Sequence, residues 1–204
     1  MTPDIRILQG IPPELLEEAT GLLYSAFEEK LAHELRPDSP EQGRRIIVRS
    51  LDPALGWIAV DEQGSLLGIT GVSWRGRHFS LITFRLLAEE FGLAGAIRRW
   101  PLAMLERVVV RSKRLHWRIE VLAVAEPARG KGIGTALLRA VTEAAREAGV
   151  RTVGLEVVDV NDRALQLYER VGFTSVANLR TGWLTAGGGY RAVRIMRMEL
   201  DERG

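Results

Sequence analysis

"VLAVAEPARGKGIGTALLRAV", Val121–Val141, joins an apolar run to a turn with alternating glycines and then to an apolar-striped helix. The run continues upstream as "RIEVLAV" (Arg118–Val124), which reads as a strand. The spacing predicts a helix over Gly132–Ala148, with Ile133, Ala136, Leu137, Ala140, Val141, Ala144 and Ala148 on its buried stripe and Gly149 just past its end. Between strand and helix stands Arg129-Gly-Lys-Gly-Ile-Gly134. Amides at the start of a helix have no intrahelical partner, so several can converge on an anion, assisted by the positive end of the helix dipole. Glycines let that anion approach without a Cβ in the way.

Three ligand classes use such a turn. A P-loop requires G-x-x-x-x-G-K-[ST], whereas Lys131 is flanked by glycines and followed by no Ser or Thr. A dinucleotide fingerprint requires G-x-G-x-x-G, whereas Gly130, Gly132 and Gly134 give G-x-G-x-G. The third class is the pyrophosphate of coenzyme A.

Working outward, the chain alternates strands and helices. Downstream, "RTVGLEVVDV" (151–160) is a strand, Asn161 caps a helix over Asp162–Val171, and Gly172 closes it. "TSVANL" (174–179) and "YRAVRIMRMEL" (190–200) read as a closing pair of strands. Upstream, Ile5–Leu8 is a short strand, followed by a helix from Pro12–Pro13 to about Phe27 and a second after Ser39–Pro40. Residues 56–74 read as a hairpin turning at Asp61–Gly64. From Gly76 to Trp117 the rhythm breaks. Leu86, Leu87, Phe91, Leu93, Ile97, Leu102 and Leu105 predict one or two amphipathic helices with a bend near Pro101. With no repeat or flexible linker, the economical reading is one domain over 1–204 carrying a helical insertion at about 76–117.

The bulk properties exclude more than they select. The chain has 204 residues, 46% hydrophobic and 26% charged, as in an ordinary globular protein. Its formal charge is 28 − 26 = +2, too small to demand nucleic acid or an anionic surface, and no aromatic-basic platform appears. The absence of cysteine removes disulfides, thiolate metal sites and an acyl-cysteine intermediate. No apolar run reaches spanning length and the N-terminus has no signal-peptide pattern, so the expected location is cytoplasmic, without stable membrane association. His33, His78 and His116 lack metal-ligand spacing, and no metal is expected.

Two motifs together carry a family resemblance. "LAVAEPARGKGIGTALL" resembles motif A of the GNAT superfamily of N-acetyltransferases, and "NDRALQLYERVGF" (Asn161–Phe173) resembles its downstream N-x-x-A-x-x-L-Y-x-x-x-G-F signature. The pairing is similar in motif to the ribosomal-protein alanine N-acetyltransferase branch. The resemblance covers about Arg118 to Phe173. It implies an α/β (α+β) GNAT fold: a central, mostly antiparallel mixed sheet with a splayed strand pair, flanked by helices.

It also implies a function: transfer of an acetyl group from acetyl-CoA to a primary amine. The backbone of Leu122, Ala123 and Val124 would pair with the pantetheine arm. The amides of Arg129, Gly130, Lys131, Gly132, Ile133, Gly134 and Thr135 would hold the pyrophosphate. Asn161 would touch the cofactor near its thioester.

The chemistry sets requirements of its own. An amine resembling lysine has pKa about 10.4, and freeing its lone pair near neutral pH costs roughly 4–5 kcal/mol. Without a cysteine nucleophile, direct attack in a ternary complex is the expected route. The resemblance makes Tyr168 the acid that protonates the departing thiolate, and Glu156 or Glu120 the proton acceptor, directly or through water. Phe27, Glu28, Trp74 and Trp183 are candidate contacts for the acceptor, a small-molecule or peptide amine. The insertion could cover that site or form a homodimer interface. A second reading stays open, in which the cleft is kept but turnover is lost and the domain senses coenzyme A.

Overall fold

The computed structural model describes residues 5–110, 117–180 and 189–200. Its strands are β1 (Arg6–Gln9), β2 (Gly56–Val60), β3 (Leu66–Trp74), β4 (Trp117–Val124), β5 (Thr152–Val158), β6 (Thr174–Arg180) and β7 (Ala192–Glu199). They form one seven-stranded sheet in the order β1-β2-β3-β4-β5-β7-β6. Every neighbouring pair is antiparallel except β4 and β5, which run parallel. Mixed, mostly antiparallel and flanked by helices, this is the architecture the motifs imply.

The helices are α1 (Leu16–Glu34), α2 (Pro40–Ser50), α3 (Phe84–Val110), α4 (Ile133–Glu147) and α5 (Asp162–Val171). Local chemistry explains their starts. Ser39 Oγ accepts from Gln42 N at 3.2 Å, with Pro40 in the first turn of α2. Asn161 Oδ1 accepts from Ala164 N at 3.1 Å and caps α5. In the β2–β3 hairpin, Asp61 Oδ1 accepts from the backbone amides of Gln63 and Ser65 at 3.0 and 2.8 Å, an Asx turn.

Helix α4 lies across β1 to β4 and carries the core with it. Its buried residues are Ile133, Gly134, Leu137, Leu138, Val141, Thr142 and Ala145. The expected stripe is therefore rotated: Leu138 and Ala145 are buried, whereas Ala136, Ala140 and Ala144 are half-buried and Ala148 is exposed. The larger leucine wins the sheet-facing position, because burying it removes more apolar area than burying an alanine.

Two helices differ from expectation. Helix α1 does not stop at Phe27; the backbone kinks there (φ −124°, ψ 16°) and the helix resumes to Glu34. Helix α3 breaks at Gly92 (φ 71°), whereas Pro101, the expected bend, lies inside the helical run. That left-handed φ is open to glycine because no Cβ clashes with the backbone. Leu86 and Leu87 join a second core with Leu35, Ile46 and Ala96. Leu93 and Ile97, expected on the buried side, are 64% and 60% exposed. The side chains of Leu102 and Leu105 lie outside the described residues.

Candidate functional site

The parallel pair β4–β5 is joined by three rungs, Trp117↔Val153, Arg118↔Gly154 and Ile119↔Leu155. Beyond them β4 continues to Val124 and β5 to Val158 with no ladder between them. A β-bulge marks the parting. Ile119 pairs with Val72 and Val121 with Gly71, so Glu120 is the extra residue on β4. On its other side β4 stays paired with β3 as far as Gly68↔Val124. Past the strand, Ala125 N donates to Leu67 O on the β3 side, while Val124 O accepts from Arg129 Nε at 3.2 Å. Successive residues of a strand direct their polar groups to opposite edges, so Leu122 and Val124 present theirs to the edge that β5 has left.

The glycine turn stands at the end of that edge. Arg129 N donates to Glu126 O, and the first helical bond is Ala136 N to Gly132 O. Among the described residues, no amide from Gly130 to Thr135 makes a backbone hydrogen bond of sound geometry. Gly130 and Gly132 take φ of 78° and 84°, and a Cβ built on either would meet no atom within 4 Å. The turn is open. Gly134 behaves differently, because its Cβ would lie 2.9 Å from Leu167 and 3.8 Å from both Leu122 and Val124. It thus brings β4, α4 and α5 together.

Tyr168 follows Leu167 on α5. It is buried, with its ring edge-on to Phe173 at 6.1 Å between centroids. Burial pushes its phenol up to about 12. Asn161, at the start of the same helix, spends its side-chain oxygen on the cap and is exposed.

Both candidate carboxylates have partners. Glu156 Oε2 accepts from Arg118 Nε at 2.6 Å, an ion pair whose side chains are 8% and 23% exposed. Glu120 Oε1 lies 2.8 Å from His78 Nδ1, and its Oε2 accepts from the Ser80 amide at 3.1 Å. The sequence reading considered His78 only as a metal ligand. It stands 42 residues from Glu120, and no motif links them. The one available signal was its place in the segment that interrupts the α/β rhythm.

Of the expected acceptor contacts, Phe27 and Glu28 sit on α1 and Trp74 at the end of β3. Phe27 is half-buried at the α1 kink and Glu28 is exposed. Trp74 stacks on Trp117 at 5.1 Å, with the Arg75 guanidinium 4.5 Å from its ring centre. Trp183 and His116 lie outside the described residues. Among those described, no group of three His, Cys, Asp or Glu could hold a metal ion, and no helix is long and apolar enough to cross a membrane.

A parted strand pair and an open glycine turn stand beside the helix that carries the buried Tyr168. The chain belongs to the acetyltransferase (GNAT) family, whose family model matches residues 16–173. It is 38% identical over 146 residues to a mycothiol acetyltransferase of Propionibacterium freudenreichii subsp. shermanii, covering 68% of this chain and 36% of that protein. It is 47% identical over 55 residues to a streptothricin acetyltransferase of Streptomyces lavendulae, covering 27% of this chain and 29% of that one. Across the curated relatives it matches, the chain spans from 23% to 57% of their length. Among solved structures, an agmatine N-acetyltransferase variant in its apo form superposes with a TM-score of 0.62 at 22% identity, covering 97% of this chain and all of that one.

Proposed function

We propose that the protein is an acetyl-CoA-dependent N-acetyltransferase that acts on the primary amine of a small molecule or peptide by direct attack in a ternary complex. The observation that carries this reading is the edge of β4 beyond Ile119, open along Leu122–Val124 and ending at a turn of amides without backbone acceptors. The residues present fit the donor. An extended amide-bearing arm can add to the open strand edge, and a diphosphate can accept from Gly130 to Thr135 at the N-terminus of α4. Arg129, exposed and bonded through Nε to Val124 O, and Lys131 add charge there. When bound, acetyl-CoA supplies a thioester whose carbonyl carbon takes the amine nitrogen.

The chain's own residues do the rest in this reading. Tyr168 stays protonated across the physiological range, because burial holds it near 12. The phenol therefore carries its proton when the thiolate departs, and gives it up to that thiolate as the C–S bond breaks. Glu156 or Glu120, each the first residue of its strand past the last rung, receives the amine proton, directly or by relay. Residues 1–204 act as one domain, and the insertion shapes the acceptor side.

The test starts with binding. Acetyl-CoA should raise the melting temperature of the protein, and an absent shift would remove the donor assignment. An amine and peptide panel with free-thiol detection should then reveal turnover. Binding without turnover across the panel would favour the sensing domain instead. Tyr168→Phe should lower kcat about 100-fold while leaving acetyl-CoA affinity within twofold. An unchanged kcat would remove Tyr168 as the acid.

A further inference from the structure

We infer that His78 is the group that takes the proton from the acceptor amine, with Glu120 as its positioning residue; this rests on the N-acetyltransferase reading above. Glu120 is the bulged residue at the point where β4 and β5 separate. Bulges re-aim side chains, and this one aims at the segment after β3 rather than along the strand face. Both of its oxygens are engaged, one by His78 Nδ1 and one by the Ser80 amide. A proton taken up by Glu120 itself would weaken the bonds it accepts, because a carboxyl group is a poorer acceptor than a carboxylate. His78 meets no such obstacle, since the nitrogen facing Glu120 is Nδ1 and the ring directs Nε2 away from it. A carboxylate can only accept from a neutral imidazole, so Glu120 selects the Nδ1–H tautomer and leaves the Nε2 lone pair available.

The loop that carries His78 is tied down on both sides. Phe79 is fully buried against Gly71 and Gly56, and its carbonyl accepts from Asp52 N at 2.8 Å. Leu81 N donates to Ser50 O at 2.8 Å, and the Ser80 and Ser50 hydroxyls stand 3.0 Å apart. Rigid support of this kind is what a proton-transfer group requires. The neighbouring charges are already spoken for. Arg77 pairs with Asp52 at 2.5 Å, and Arg118 on β4 pairs with Glu156 on β5 at 2.6 Å. Among the described residues, Glu120 is the charge in contact with the imidazole.

The step balances as follows. The ammonium proton passes to His78 Nε2, and the freed nitrogen forms its bond to the acetyl carbon as the C–S bond breaks. The nitrogen loses two protons in all. One leaves through His78 to solvent, and the other, shed as the amide forms, restores to the Tyr168 phenolate the proton that its Oη gave to sulfur.

The experiment compares the wild-type chain with His78→Gln, His78→Gly and Glu120→Gln, using an amine that the panel shows to be acetylated. His78→Gln should lower kcat about 100-fold at neutral pH with acetyl-CoA affinity within twofold of wild type. The deficit should shrink towards pH 10, where the amine supplies its own lone pair, and added imidazole should partly restore His78→Gly. Long-range proton–nitrogen NMR should find His78 with its proton on Nδ1 in the wild type, and a shift towards Nε2–H in Glu120→Gln. A His78→Gln kcat within threefold of wild type, equal losses of kcat and acetyl-CoA affinity, or an Nε2–H tautomer in the wild type would each overturn the inference. A wild type that binds acetyl-CoA but acetylates no amine would instead remove the parent reading, and this one with it.

Discussion

Glu120 and Glu156 make an instructive pair. Each is the first residue of its strand beyond the last β4–β5 rung, and their side chains are 10% and 8% exposed. Residue type, depth and strand position are matched, and the partners differ. Glu156 meets a guanidinium, which has donors and no acceptor lone pair. Glu120 meets a backbone amide and an imidazole, whose second nitrogen can carry a lone pair. The first arrangement fixes a charge at the mouth of the parted strands; the second can pass one on. A strand carboxylate in such a cleft therefore has no fixed role until its partner is known.

The largest effect should follow from breaking the fixed pair. Arg118→Ala leaves Glu156 nearly buried without its guanidinium, and should cost about 3 kcal/mol in a urea unfolding measurement. If the loss is below about 1 kcal/mol, the ion pair is no firmer than a surface one and the contrast with Glu120 collapses.

Tyr168 extends the comparison to a buried acid whose shift has burial as its only cause. Its folded pKa is raised to about 12 from 10.0, so between those values the unfolded chain has given up a proton that the folded one keeps. Stability is then fully present below pH 10 and lost as the pH rises through 12, by about 3 kcal/mol for two units. Alkaline unfolding of wild type against Tyr168→Phe measures it, and the variant should lack that loss. Equal alkaline losses in both would mean that the phenol is hydrated in the folded state.

Some of this was readable before any coordinates and some was not, for physical reasons. The glycine turn, the Ser39 and Asn161 caps and the Asp61 turn are local: a side chain or a φ angle acts within four residues, so the sequence shows it directly. Strand order and the bulge at Glu120 depend on which strands pair, and β3 and β4 are separated by the whole of α3. The tilt of α4 depends on competition between Leu138 and the alanines for the sheet. In α3 proline is by type the stronger helix breaker, but the break falls at Gly92, where the backbone takes a left-handed angle. The cleft was legible as a set of residues; the contact between His78 and Glu120 was not, because tertiary packing creates it.

The last prediction separates the two carboxylates by disturbing only one. At Gly71 an added Cβ would fall 2.0 Å from the Phe79 ring, a fully buried side chain with no room to swing aside. Gly71→Ala should therefore overpack that face at a cost of about 2 kcal/mol. Phe79 lies between His78 and Ser80, the two residues that hold Glu120, so its displacement should loosen both contacts. Arg118 and Glu156 are joined across β4 and β5 and owe nothing to that ring. NMR of the variant should show the His78 tautomer becoming mixed while the Arg118 Nε proton stays protected from exchange. Loss of protection at Arg118 as well would mean that the two sites are one cooperative unit, and that the division of labour between fixed and transferable charge is drawn in the wrong place.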